Sequence, residues 1–138
     1  FPFEIPYRLC CMYSVYGDTV LDPFWGTGTT TLATMCAGRR SIGVELDSGL
    51  LDVFDNRVDD VESLSSTVTR RRLERHREFA ERRQSNGKSL DYDAIHYDLP
   101  VTTKQERELR LYTVTETTVR DCPTGRVYRL QHDPLIGV

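Results

Sequence analysis

The segment Asp22-Pro23-Phe24-Trp25-Gly26-Thr27-Gly28-Thr29-Thr30 decides the fold class of this 138-residue sequence. It follows a short β-branched run, residues 19–22, which predicts a strand ending in an acid. Residues 29–37 predict a helix that stops at Gly38. A second strand, 41–45, also ends in an acid, and Asp47 or Ser48 can cap a helix running to about Val61. Such short connections predict a parallel strand pair with a crossover helix.

The loops after the two predicted strands share one edge of the sheet, where ligands of open α/β sheets bind. Gly26 and Gly28 allow close backbone approach, and the following helix start offers unpaired N–H groups. A phosphate-binding loop would need a lysine here, and a dinucleotide loop would need glycine at Thr31. Glu45 can accept hydrogen bonds from both hydroxyls of a ribose. The pattern favours an adenosine ligand without pyrophosphate, such as S-adenosylmethionine, while another nucleotide or a chance turn stays open.

Three stretches together resemble the cofactor half of N6-adenine and N4-cytosine DNA methyltransferases: residues 22–30, Gly-Arg-Arg at 38–40 and Ile-Gly-Val-Glu at 42–45. The segments Phe3–Leu9 and 17–22 are similar to that family's other cofactor-contacting part, so the resemblance covers about residues 1–55. It implies an α/β class, a partial Rossmann-like S-adenosylmethionine-dependent methyltransferase fold in the permuted order that places the catalytic and target-recognition parts first. DNA methylation, as in restriction-modification systems, is the implied activity.

The resemblance also implies roles for individual residues. Phe3 and Phe24 would pack near the adenine or methionine part of S-adenosylmethionine. The amino-acid end would be lined by Asp22 and the two glycines, and Glu45 would hold the ribose. Thr29 and Thr30 would offer hydrogen bonds at the helix start. The full set of expected cofactor residues is Phe3, Asp22, Pro23, Phe24, Gly26, Gly28, Thr29, Thr30 and Glu45.

The family's catalytic motif, an Asp, Asn or Ser followed by Pro-Pro and an aromatic residue, is absent from this sequence. Asp98-Leu99-Pro100 and Asp133-Pro134-Leu135 lack the second proline and the aromatic residue. No catalytic residue is therefore predicted, and the chain alone is expected to be inactive. Since it begins at Phe1, a catalytic segment or chain upstream of Phe1 is an expected partner. The alternative is a non-catalytic nucleotide- or DNA-binding module of the same ancestry.

The sequence beyond the βαβα portion, residues 1–61, divides into two segments. Residues 62–88 predict a long polar helix, in which 70–88 hold eight Lys or Arg against three Glu while the whole chain carries −3. Its arginines Arg70, Arg71, Arg72 and Arg75 are candidates for DNA phosphates, and a merely solvated helix is the alternative. Residues 89–138 predict an irregular connection, 89–104, and a β-hairpin with strands 109–119 and 126–130 around a wide or bulged turn.

The composition predicts neither a metal site nor a membrane span. The four cysteines form no C-x-x-C pair, and no apolar run approaches 18 residues. Free thiols are typical of a reducing compartment, which predicts a cytoplasmic protein.

Overall fold

The computed structural model describes residues 1–136, so Gly137 and Val138, the end of the predicted hairpin segment, lie outside the described residues. Helices and strands alternate in the first part of the chain, and a long helix and a long hairpin dominate the rest. The order is α1 (Glu4–Tyr13), β1 (Thr19–Asp22), α2 (Thr29–Cys36), β2 (Arg40–Gly43), α3 (Gly49–Val58), α4 (Val61–Ser85), β3 (Tyr92–Asp93), β4 (Pro100–Val101), a 3-10 helix (Lys104–Glu108), β5 (Tyr112–Cys122) and β6 (Gly125–Pro134).

Strands β1 and β2 pair in parallel, with Thr19 opposite Arg40 and Asp22 opposite Gly43. Helix α2 makes the crossover between them, so the predicted strand–helix–strand unit and the mixed α/β class are confirmed. The helix is almost entirely buried, because α1, β2 and α4 all pack against it. Within the described part of the chain this sheet has two strands.

The two faces of the β1–β2 sheet differ. Val20 points towards α2 and packs against the main hydrophobic core. Leu21 and its register partner Ile42 lie on the opposite face and are 62% and 56% exposed. Parallel sheets are normally covered on both faces, so this uncovered apolar face is unusual.

The predicted polar helix is confirmed as α4, which has 25 residues. One stripe at four-residue spacing is buried, consisting of Val61, Ser65, Thr69 and Leu73. These are mostly small or polar side chains, and they allow close packing on α2 and β5. Ser65 Oγ, which is fully buried, accepts a hydrogen bond of 3.1 Å from the Val114 N–H. Helix α4 therefore docks on the hairpin by both apolar and polar contacts.

The predicted hairpin is confirmed, but its first strand lies three residues later than predicted, its return strand is longer and its turn is tighter. The strands continue to Cys122 and restart at Gly125, so Pro123 and Thr124 alone connect them. A register shift between Val114 and Glu116 marks a bulge. The predicted return strand ended too early, because the pairing extends to Pro134 and brings β6 over α2: His132 Nε2 lies 2.7 Å from the Met35 carbonyl oxygen.

The connection after α4 is more ordered than the predicted irregular segment. A two-residue antiparallel pair, β3–β4, and the 3-10 helix enclose a second core of Leu73, Tyr97, Leu99, Val101, Leu111 and Leu135. The Tyr97 hydroxyl accepts a hydrogen bond of 2.7 Å from the Leu111 N–H inside this core. The signal for this order was the apolar spacing of 97, 99 and 101, which also fits a loop.

Candidate functional site

The glycine loop, residues 23–28, leaves β1 at the carboxyl edge of the sheet. Asp22 Oδ1 accepts a hydrogen bond of 3.1 Å from the Phe24 N–H, which turns the chain. The Trp25 N–H then donates to the Val44 carbonyl at 3.0 Å, so the loop is attached to the end of β2. Gly28 has φ +71°, in the left-handed region that favours glycine. The loop is therefore held by backbone contacts before any ligand is considered.

Trp25 forms the floor of the glycine loop, a role that the sequence pattern did not indicate. Its side chain is 8% exposed, and Nε1 donates to Thr31 Oγ1 at 2.7 Å. A Cβ added at Gly43 would lie 2.1 Å from Trp25 Cδ1, and one at Gly28 would lie 2.3 Å from Phe54 Cδ2. The missing Cβ atoms thus make room for two aromatic rings beneath the loop. A single tryptophan inside a glycine motif was the available signal for this packing.

Glu45 joins the two loops at the carboxyl edge. Its Oε2 accepts a hydrogen bond of 2.8 Å from the Gly26 N–H, while Oε1 accepts from the N–H groups of Leu46 and Asp47 at 2.8 and 3.0 Å. These backbone donors, with Asp47 the strongest, hold the pKa of Glu45 below its ordinary value of 4.5. A carboxylate can accept about four hydrogen bonds, so one position on Oε2 is left for a further donor.

The start of α2 carries two of the predicted residues. Thr29 is buried, and its Oγ1 lies 3.0 Å from Arg57 Nη1. Thr30 faces a cleft of about 670 Å³ between α1 and β1, whose apolar wall includes Ile5, Leu9 and Val20. Among the described residues that line this cleft, Thr30 is the one from the predicted cofactor set. The structure therefore brings Thr30 to the cleft and the other loop residues to the sheet edge.

The predicted aromatic contacts are divided between two places. Phe24, at the tip of the loop, is 90% exposed, and the adjacent Pro23 is exposed as well. Phe3 precedes α1, is partly buried and stacks on Tyr7 with ring centroids 5.6 Å apart. An exposed phenylalanine at the tip of the glycine loop offers a flat apolar surface for a ligand ring.

The predicted DNA-contacting arginines lie on α4. Arg70, Arg71, Arg72 and Arg75 are all exposed. Arg75 Nη1 donates to Glu4 Oε1 at 2.7 Å and, together with Arg8, holds the pKa of Glu4 below its ordinary value. Arg75 is thus engaged with α1, whereas the contact of the four residues with DNA stays a prediction.

In residues 1–136, no group of three or more His, Cys, Asp or Glu side chains could hold a metal ion. Nor does that part of the chain contain a helix with the length and apolarity needed to cross a membrane.

Comparison with known proteins gives matches concentrated in the first part of the chain. A family model described as DNA methylase, the N6/N4 methyltransferase model, matches residues 1–56. Type II methyltransferase M.MthZI from Methanothermobacter thermautotrophicus is 49% identical over 112 residues, which are 81% of this chain and 30% of that protein. Type II methyltransferase M.MjaI from Methanocaldococcus jannaschii is 52% identical over 58 residues, 42% of this chain and 19% of that protein.

Solved structures give a match of the same kind. A DNA modification methylase candidate from Thermus thermophilus, crystallised with S-adenosyl-L-methionine, is 46% identical and has a TM-score of 0.43. The match covers 44% of this chain and 25% of that one. The present chain thus spans less than a third of the length of each of these relatives.

Proposed function

Residues 1–56 belong to the N6-adenine and N4-cytosine DNA methylase family, and from this premise we propose that the chain forms the S-adenosylmethionine-binding part of a DNA amino-methyltransferase. The observation that carries the proposal is the hydrogen bond of 2.8 Å between Glu45 Oε2 and the Gly26 N–H. It places a carboxylate with a free acceptor position beside the glycine loop. A partial Rossmann-like fold is part of the proposal, supported by the parallel β1–β2 pair and its crossover helix.

The residues at this edge fit the parts of S-adenosylmethionine. Glu45 would accept from a ribose hydroxyl, and the exposed ring of Phe24 and that of Phe3 would contact the adenine or the methionine chain. Asp22 and the N–H groups at the start of α2 would bind the charged amino-acid end, because a carboxylate attracts its ammonium and a helix start attracts its carboxylate. When bound, the cofactor supplies an activated methyl group on its sulfonium. This chain's own residues bind and orient that group.

Methyl transfer also needs a target nitrogen held against the methyl group, and the Pro-Pro-aromatic motif expected for that step is absent from this sequence. We propose that a polypeptide with the Pro-Pro-aromatic motif, expected upstream of Phe1, packs on the uncovered sheet face at Leu21 and Ile42 and on α1. The exposed apolar side chains of α1, including Leu9, Met12 and Tyr13, support this arrangement. The chain alone would then bind cofactor without methylating DNA, and Arg70, Arg71, Arg72 and Arg75 would contact DNA phosphates in the complete enzyme.

A calorimetric titration tests the cofactor assignment. We expect the 138-residue chain to bind S-adenosylmethionine and not NAD, because the glycine loop lacks the third glycine of a dinucleotide site. Glu45→Ala should weaken S-adenosylmethionine binding by about fivefold or more, as expected for losing one hydrogen bond to a charged group. The control is Glu116→Ala, which removes an exposed glutamate on β5. Binding of NAD without S-adenosylmethionine would refute the proposal, and an unchanged affinity in Glu45→Ala would remove Glu45 from the ribose role.

A further inference from the structure

Arg57, near the end of α3, contacts the glycine loop and the start of α2. Its Nη1 lies within hydrogen-bond distance of the Thr27 carbonyl oxygen, and it is 3.0 Å from both Thr27 Oγ1 and Thr29 Oγ1. Thr27 is a loop residue and Thr29 is the first residue of α2. One guanidinium nitrogen therefore connects α3 to the segment between the second loop glycine and the helix start. A charged donor to a loop carbonyl fixes the direction of that peptide group.

A column of three aromatic rings connects the loop to the hairpin. Trp25 and Phe54 have ring centroids 4.8 Å apart, and Phe54 and Tyr128 have centroids 5.0 Å apart in an edge-to-face arrangement. Phe54, on α3, is fully buried between the other two. Such pairs are stabilising beyond their buried area. The position of the Trp25 ring, and with it the loop floor, therefore depends on where β6 holds Tyr128.

Polar contacts fix the same hairpin end to α3. The Tyr128 hydroxyl donates to Asp55 Oδ1 at 2.5 Å. Arg126 forms ion pairs with Asp55 and, at 3.4 Å, with Asp52. Its Nε also donates to Asp121 across the hairpin at 3.1 Å. Helix α3 is thus held by β6 on one side and holds the glycine loop on the other.

We propose that the β5–β6 hairpin is a functional part of the ligand site, acting as a brace that keeps the glycine loop in one conformation through α3. Arg57 is the positioning residue at the loop end of this brace, and Arg126 with Tyr128 anchors the hairpin end. The ligand concerned is S-adenosylmethionine, so the inference rests on the proposed function. It assigns a role to the hairpin that the glycine motif alone does not contain.

The expected change in cofactor affinity follows from the fraction of molecules in which the glycine loop has its binding-competent conformation. The apparent dissociation constant equals the intrinsic one divided by the fraction of molecules in the binding-competent state. If loss of the Arg57 contacts leaves about a tenth of the molecules competent, S-adenosylmethionine binding weakens about tenfold. The loop floor should loosen in the free protein as well, because the contacts exist without ligand.

The test compares three variants with the unmodified chain. Arg57→Gln removes the loop contact. The double variant Arg126→Gln/Tyr128→Phe removes the polar anchors on α3 but keeps a ring against Phe54. Arg129→Gln is the matched control, because Arg129 lies on the same strand, between the residues that pair with α3 and the strand end, and is exposed. Far-UV circular dichroism first establishes that each variant is folded.

Two readouts are measured on every variant: the S-adenosylmethionine dissociation constant, and acrylamide quenching of tryptophan fluorescence in the free protein. Trp25 is the only tryptophan in the chain, so quenching reports on the loop floor, and a lowered global stability would not change it in folded molecules. We expect both test variants to bind about tenfold more weakly and to be quenched more readily, with Arg129→Gln unchanged in both readouts.

The outcomes separate this inference from the proposed function. Unchanged affinity and quenching in both test variants would overturn the brace while the cofactor assignment stands. An effect of Arg57→Gln without any effect of the double variant would overturn the hairpin's role. If the unmodified chain does not bind S-adenosylmethionine, the proposed function fails, and the quenching results alone then support or overturn the brace as a property of the loop.

Discussion

Replacing Gly28 by alanine adds one methyl group at the most crowded point of the glycine loop. The new Cβ would lie 2.3 and 2.6 Å from Cδ2 and Cε2 of Phe54 and 2.9 Å from Trp25 Cζ2. Those distances are far below van der Waals contact, and both rings are buried. The rings cannot move freely, because each packs against another aromatic side chain. Gly28 also has φ +71°, which an alanine adopts only with strain.

Two terms therefore contribute to the loss of stability. The left-handed backbone conformation costs a residue with a Cβ about 1–2 kcal/mol, and overpacking a well-filled core costs about 1–3 kcal/mol. Gly28→Ala should lower the free energy of unfolding by about 2–5 kcal/mol, the sum of the two. Two other glycines allow the backbone cost and the packing cost to be measured separately. Gly17 has φ +83° with nothing near its Cβ position, whereas Gly43 lacks a left-handed φ but would clash with Trp25 at 2.1 Å.

Equilibrium urea unfolding, followed by circular dichroism, measures all three variants. We expect Gly17→Ala to lose only the backbone term, about 1–2 kcal/mol, and Gly43→Ala only the packing term, about 1–3 kcal/mol. Gly28→Ala should lose more than either. If Gly28→Ala were no less stable than Gly17→Ala, the close packing of Phe54 and Trp25 under the loop would be refuted.

Two other predictions concern single polar groups. Hydrogen bonds from backbone N–H groups, that of Asp47 foremost, lower the pKa of Glu45 in the folded protein. Glu45 therefore stabilises the fold at pH values above its ordinary pKa of 4.5. This contribution is lost as the pH falls through the lowered pKa. Glu45→Gln should therefore show a shallower loss of stability on acidification below about pH 4.5, measured by urea unfolding at several pH values, and an identical slope in both proteins would contradict this. Tyr97→Phe leaves the buried Leu111 N–H without its acceptor, so it should reduce the free energy of unfolding by about 1–3 kcal/mol, whereas Tyr92→Phe, at an exposed position, should not.

The parallel βαβα unit was predictable because its signals are local. β-branched residues at 19–22, a glycine after the helix, Asp22 at the end of β1 and Glu45 two residues beyond the end of β2 lie within one short stretch. The hairpin ends were not predictable to the residue. Pro123-Thr124-Gly125 fits a wide turn as well as a two-residue one, and only the pairing of Cys122 with Gly125 decides between them. The length of β6 depends on contacts with α2, which are distant in sequence.

The residues expected to face the ligand could be predicted from the sequence, but the residues that hold the glycine loop in place could not. Glu45 could be placed near the glycine loop, since the carboxyl ends of parallel strands share an edge. Arg57 and Tyr128 gave no comparable signal. An arginine late in a helix is usually solvated, and a tyrosine on a hairpin usually packs across strands. Their contacts form only when α3 and β6 pack together, and such long-range contacts leave no pattern in the local sequence.

Sequence and structure give different reasons for a glycine at position 28, and a double-mutant cycle tests whether packing is one of them. The pattern indicates a glycine kept free of Cβ for backbone conformation and ligand approach, whereas the structure adds Phe54 as a reason. Phe54→Leu removes the ring atoms that the Cβ would meet. If packing matters, Gly28→Ala should be less damaging in the Phe54→Leu background by about 1–2 kcal/mol, a coupling typical of residues in contact. Gly17→Ala should instead be additive with Phe54→Leu, because its Cβ would meet nothing within 4 Å. Additivity at Gly28 would mean that the Phe54 ring does not require the glycine, which would leave its backbone conformation and the nearby Trp25 ring as the reasons.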